Sequence, residues 1–325
     1  MTGAGPVAER NIQMATKKTS IGGQALIEGI MMRGPKVTAM AVRNVNTKQI
    51  TLEEYPTKGQ DRAAFFKLPF IRGIFNMIDS LSFGYKCLMR SAELSGIEDE
   101  EGEAKKEPST WDKIFEKLMM PIATVLAVVL ALGLFVWLPE QLWKWLTNAA
   151  PAVAQNYYLR ACFAGVMRIV LFVGYVWATS LMKDIRRTYM YHGAEHKTIF
   201  CYEKGLPLTV ENVRPQCRFH PRCGTSFMVL MLIVGIVVSM FIRIDNVLLR
   251  TAVKLLTFPI VVGVGYELIK LAGRADNLFT RIISAPGKWL QHITTYEPDD
   301  KMIECAIRAM ELVIPEEEGS DEWGN

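Results

Sequence analysis

Histidine is scarce in this chain, with four among 325 residues. That excludes a membrane di-iron oxygenase, whose metal pair needs many more imidazoles. Net charge is also low: 37 basic residues against 33 acidic ones give a formal +4. Such a balance supplies no overall field for nucleic acid, so none is expected as a partner, and the placement of charges matters more than their sum. The opening MTGAGPVAERNIQMATKKTS contains no apolar run, which argues against a cleaved secretory signal. The cysteines are six: Cys87, Cys162, Cys201, Cys217, Cys223 and Cys305. In a chain this large, with histidines spaced beside them, they favour reduced thiols or metal ligands over a secreted disulfide framework.

What the chain has in abundance is apolar sequence. Half its residues are hydrophobic and the mean hydropathy is +0.16, yet 22% are charged. This mixture suits a protein that is part bilayer and part aqueous. Four runs are long enough to span ~30 Å of hydrocarbon: 118–138, 161–182, 224–242 and 252–273. Trp137, Trp143 and Trp145 gather near the end of the first, as interfacial aromatics do. The second carries Arg168, the fourth Lys254, Pro259 and Glu267. An arginine inside a span is costly unless it faces protein, and Glu267 is its expected partner; Pro259 should kink its helix.

The connecting segment 183–223 holds Lys183, Arg186, Arg187, Lys197, Lys204, Arg214, Arg218 and Arg222. By the positive-inside rule this segment and both termini face the cytoplasm of a cell membrane. Nearer the N-terminus, KVTAMAVRNVNTKQITLEEYPT (36–57) alternates on both sides of NVNTK and reads as a β-hairpin. An amphipathic helix over 70–94 either lies in the membrane interface or covers that hairpin.

The expected fold is thus an α-helical membrane protein with about four transmembrane helices and a small N-terminal α+β cytoplasmic portion. Its parts are a disordered leader (1–21), the hairpin and amphipathic helix (22–96) and a charged linker (97–117). Spans 118–182 and 224–273 flank the 183–223 segment, followed by C-terminal helices (274–314) and a disordered acidic tail (315–325).

Three of the four histidines lie between 192 and 220. In YHGAEHKT, His192 and His196 stand one helical turn apart on one face, with Glu195 beside them. This is H-x-x-E-H, in which two imidazoles hold a metal and the carboxylate can act as general base. In CRFHPRCGTSF, His220 and Cys223 add two zinc-type ligands, with Cys217 or Cys201 as substitutes. A solvated helix face and a plain loop are the bland alternatives, and clustering makes both less attractive. The expected metal set is His192, His196, His220 and Cys223, holding zinc first and iron second, with Glu195 as the catalytic base. Four ligands would close a structural tetrahedron; three would leave a position for water. The first reading is a hydrolase acting on a peptide or lipid-linked substrate, and the second is a scaffold for a membrane-protein partner with a structural metal.

GGQALIEGIMMRGP (22–35), YHGAEHKT (191–198), RFHPRCGTSF (218–227), YELIKLAGR (266–274) and TTYEPDD (294–300) resemble the YqhQ-like bacterial membrane proteins. The resemblance runs from about Gly22 to Glu311. It implies a multi-pass membrane protein labelled as a metal-dependent enzyme of unknown function, and it points to the same histidines. It also draws attention to Glu28 and Arg33, which could pair with each other or reach the metal; the plainer expectation is a strand docked on the hairpin. His292 stands alone and is expected to be no ligand.

Overall fold

The first stretch described, GGQALIEGIMMR, folds back on itself. Strands β1 (Gly22–Leu26) and β2 (Gly29–Arg33) pair antiparallel across the two-residue turn Ile27–Glu28. Glu28 has φ 50°, a left-handed conformation that a residue with a Cβ adopts only when surrounding contacts hold it. Here its carboxylate receives both Nε and Nη2 of Arg187 at 2.5 Å and the Tyr191 hydroxyl at 3.3 Å. Glu28 thereby fastens the turn to the helix that bears the histidine pair.

Strands β3 (Val37–Arg43) and β4 (Ile50–Pro56) form the expected hairpin and complete a sheet of order β1-β2-β3-β4. We describe residues 18–57, 63–97, 110–153, 156–274, 277–317 and 319–323 from a computed structural model. One face of the sheet (Ile30, Met32, Ala39, Ala41) packs on Tyr191, Ala194, Ile303, Ala306 and Met310. The other (Leu26, Met31, Met40, Val42) packs on Cys87 of helix α1 (Ile71–Ser95). Burial on both faces explains why β2 and β3 are apolar at consecutive positions. Ile30, Met32 and Met40 are fully buried, each contributing roughly 1.5–3 kcal/mol by transfer from water. Helix α1 thus covers the sheet, while Ile78, Leu81, Tyr85 and Met89 remain exposed along it.

Helix α2 (Thr110–Leu132) continues through a π-helical turn, Gly133–Trp137, into α3 (Leu138–Ala149). Helix α4 (Tyr157–Ser180) leads after two residues into α5 (Lys183–Glu203), then the short α6 (Val210–Val213). Helices α7 (Gly224–Met240), α8 (Val247–Arg274) and α9 (Leu278–Thr294) pack together with α4, and α10 (Asp300–Glu311) returns to the sheet.

Three helical segments, Ile122–Ala149, Tyr157–Ser180 and Val247–Arg274, are long and apolar enough to cross a membrane, which points to membrane association. Four were expected, and among the described residues three meet that length. Helix α7 is apolar but has 17 residues, about 25 Å at 1.5 Å per residue, short of a hydrocarbon core of ~30 Å. The first segment runs beyond its expected end because the π turn carries the helix on. Trp143 is therefore buried against Phe163 at 5.5 Å rather than placed as an interfacial aromatic; Trp137 and Trp145 are exposed. Pro259 lies inside α8 without ending it.

The expected Arg168–Glu267 pair does not form. Glu267 accepts Nε and Nη2 of Arg72 at 2.8 and 2.5 Å, tying α1 to α8. Arg168 donates instead to the Phe135 carbonyl at 2.8 Å, in the π turn, where the shifted ladder makes a carbonyl available.

The tail is corrected as well. Asp321 is buried and accepts the Thr19 hydroxyl at 2.6 Å and the Tyr202 hydroxyl at 3.0 Å. Trp323 donates its backbone N–H to Lys18 at 2.7 Å. Residues 18–21 and 319–323, both expected to be disordered, thus dock on each other. The rest of the leader and positions 98–109 of the charged linker lie outside the described residues.

Candidate metal centre

The i, i+4 spacing on α5 brings the His192 and His196 rings to 4.4 Å between centroids. Cys223 caps the start of α7, and its Sγ lies 3.1 Å from His192 Nε2. Ligand atoms of His192, His196 and Cys223 all fall within 4.8 Å of one another. Both imidazoles are oriented from behind. His192 Nδ1 bonds the Thr294 carbonyl at 2.9 Å and His196 Nδ1 the Arg218 carbonyl at 2.5 Å. A backbone acceptor fixes the proton on Nδ1 and turns Nε2 outward, as in metal-ligating histidines.

Two atoms here lack a hydrogen-bond partner although buried: His196 Nε2 and Glu195 Oε2. An orphaned buried polar atom is uncommon and costs about 1–3 kcal/mol. His196 Nε2 belongs to the group of three and would be satisfied by a bound cation, so the residues fit such a group; Glu195 Oε2 stands beside it as an acceptor.

Charge follows the same geometry. Burial opposes ionisation of Cys223, but the adjacent His192 and His196 outweigh it and hold the thiol well below its ordinary range. Desolvation likewise works against a charge on His192, yet Cys223 prevails and raises that imidazole to about 9. Burial pushes the Glu195 carboxyl up, against the pull of His192 and His196 and a hydrogen bond from the Gly23 N–H.

His220 lies outside the group of three. Its ring centroid is 5.5 Å from that of His196, but its Nε2 accepts from Arg222 at 3.3 Å and lies 3.9 Å from Glu203. Burial lowers its pKa to about 4 and keeps it neutral. Arg222 and Glu203 form a buried ion pair that also receives the Thr19 N–H at 2.9 Å. His220 thus joins a polar cluster that anchors the N-terminal segment. Of the substitutes, Cys217 is exposed and Cys201 is buried in the sheet core. His292 stacks on Phe219 at 4.3 Å, away from the group.

Two supports, Gln291 and Gly193, were missed from the sequence, and a third, Gly23, was marked there only as one of several glycines suited to close contacts. Gln291, fully buried on α9, donates to the His220 carbonyl at 2.8 Å and accepts its N–H at 2.7 Å, setting the loop that delivers Cys223. Gly23 lets β1 approach the site: a Cβ there would stand 2.6 Å from the Met31 carbonyl and 3.0 Å from Glu195 Cδ. At Gly193, between the two histidines, a Cβ would overlap the Tyr296 carbonyl oxygen. Helix propensity alone predicts that Gly193→Ala stabilises α5. We expect the opposite, a loss of about 1–3 kcal/mol from overpacking, read as a lowered thermal midpoint.

With this geometry in hand, comparison with known proteins is informative. The family model for DUF1385, described as a protein of unknown function, matches residues 68–316. The chain belongs to this family. It is also 32% identical over 296 residues to "Uncharacterized protein YqhQ" of Bacillus subtilis (strain 168), covering 90% of this chain and 92% of that one. No solved structure matches. In this DUF1385 protein the three grouped ligands and Glu195 all lie within the family match, whereas the four strands precede it.

Proposed function

We propose that this DUF1385 protein is a membrane-associated, metal-dependent hydrolase working at the cytoplasmic face. The observation that carries the reading is the pair of buried orphan atoms, His196 Nε2 and Glu195 Oε2, beside His192 Nε2 and Cys223 Sγ. Two imidazoles and a thiolate suit zinc, with iron second. Three protein ligands leave one position open, the arrangement of catalytic rather than structural sites. A metal held there supplies a water acidified toward neutral pH and polarises a carbonyl or phosphoryl oxygen.

The chain's own residues do the rest. Thr294 and Arg218 carbonyls orient the imidazoles. Glu195, its carboxyl raised by burial, accepts the proton of the attacking water at Oε2 and returns it to the leaving group. Gly23 bonds Glu195 and also lines a cavity of about 320 Å³ with Gly22, Gln24, Met31 and Arg33. The substrate of this reading is a peptide or a lipid-linked molecule.

Packing and charge support the sidedness of this reading. Strands β1–β3, α5 and α10 share one core, and for them to lie on one side of a membrane the shorter α7 must cross together with α8, as a short span does where the bilayer thins locally. The basic residues of 183–223 favour the cytoplasm as that side. A cysteine introduced at Lys204 should therefore react with a membrane-impermeant maleimide only after the cells are opened. Labelling of intact cells would reverse the topology.

One observation favours a scaffold instead. The ligands and their carbonyl tethers come from α5, the 218–223 loop, the cap of α7 and the end of α9, so a metal would staple these elements together. Glu195→Gln, scored for metal content and for complementation of a deletion strain, separates the two readings. Full complementation by a metal-replete variant would remove the hydrolase assignment.

A further inference from the structure

The far end of α4 and α7 from the metal centre carries a second feature. A cavity of about 490 Å³ lies among α3, α4, α7 and α8, and its wall includes Glu140, Arg160, Arg168, Arg250 and Lys254. Glu140 is already shared: it accepts Arg160 and, at 2.7 Å, Arg250. Asp245, largely exposed at the rim, adds a 3.8 Å contact to Arg160. Four cations thus face two carboxylates, an excess of two positive charges.

The excess is not placed where water would absorb it. Arg168 stands eleven residues into α4, about 16 Å along the helix axis. Its Nε is taken by the Phe135 carbonyl, and among the described residues its Nη atoms make no hydrogen bond. Lys254 has no ion-pair or side-chain hydrogen-bond partner among the described residues, and the Arg160 Nε is buried and unpartnered. Unpaired cations at this depth are retained at a cost and mark binding or transport sites when they face a cavity.

The remaining wall is mostly apolar, with Phe172, Met231, Ile236 and Val261 among its residues. At the mouth, Leu255 and Phe258 line the cavity and are also 67% and 45% exposed. They lie on Val247–Arg274, one of the segments able to cross a membrane. The cavity therefore opens sideways, onto the surface that faces lipid. A free anion would use the cations and leave the walls and mouth without a role. A phospholipid with an anionic head group uses all of them, its phosphate among the arginines and its chains leaving past Leu255 and Phe258.

We infer that this cavity is a binding site for an anionic phospholipid, distinct from the metal centre and independent of its chemistry. The test is native mass spectrometry of full-length, delipidated protein in detergent, titrated with phosphatidylglycerol and with phosphatidylcholine of matched chains. Phosphatidylglycerol should be retained more tightly. The preference should fall about five-fold for each cation removed, in Lys254→Gln and in Arg168→Gln/Lys254→Gln. Lys144→Gln, on α3 but outside the cavity, should leave it unchanged. Lys254→Gln removes no internal partner, so it reads the site even if the double variant fails to fold. Equal retention of the two lipids, or an unchanged preference in Lys254→Gln, overturns the inference. So does inorganic phosphate that displaces phosphatidylglycerol at an equal concentration, because the apolar walls would then contribute nothing.

Discussion

His192→Ala, His196→Ala and Cys223→Ser should each reduce bound metal from about one ion per chain to background, measured by elemental analysis of purified protein. Each substitution leaves two donors of the three that converge within 4.8 Å. A supporting group behind a ligand is worth about 10–100-fold in metal affinity, and loss of the ligand itself should exceed that. The informative contrast is His220. Its Nε2 accepts from Arg222 beside Glu203, so His220→Ala should keep its metal while loosening the N-terminal segment, and His292→Ala should keep it without other effect. If all five variants hold metal like the parent, the group is not a metal site. If His220→Ala loses metal as fully as His196→Ala, the site is a closed four-ligand one and the scaffold reading gains.

That contrast also shows how far spacing can be read. His192 and His196 needed only a helix to converge, and Cys223 lies just ahead of an apolar run that could only be a helix. Both follow from local pattern, as does the 36–57 hairpin. His220 has metal-like spacing from Cys223, but its orientation is set by Gln291, 71 positions away. The pairings the sequence hid are equally remote: Arg187 with Glu28 across 159 positions, Arg72 with Glu267 across 195, and Thr19 with Asp321 across 302. Periodicity carries no information about such partners. Arg168 and Glu267 were each expected to need compensation; Glu267 has it from Arg72, whereas Arg168 has one carbonyl hydrogen bond and, among the described residues, no carboxylate.

A strand docked on the hairpin was expected at the N-terminus, and its division into β1 and β2 was hidden for a different reason. Alternation marks a strand with one face in water, and β2 is buried on both faces between α5, α10 and α1. Its run of apolar residues therefore resembled a docked edge more than half of a second hairpin. Span length failed similarly at α7. Composition over 224–242 is continuous, whereas the helix is bounded by a cap at Cys223 and a stop at Phe241.

Glu195→Gln should keep the metal and the fold and lose the function, by about 10²–10⁴ in rate if Glu195 is the base. Glutamine preserves the size of the side chain and can still accept the Gly23 N–H that the carboxylate takes now. What it removes is an oxygen able to take a proton, and Oε2 is the atom that lacks any other partner. Metal retention is expected because Glu195 is not among the three converging ligands. A supporting role predicts a different pattern: metal affinity falls by ~10-fold or more, and function falls only as far as metal does. Supplementing the growth medium with zinc then distinguishes the outcomes. A variant rescued by added zinc has lost metal affinity, which assigns Glu195 to holding the site. A variant that stays inactive while fully loaded has lost a proton acceptor, as the hydrolase reading requires.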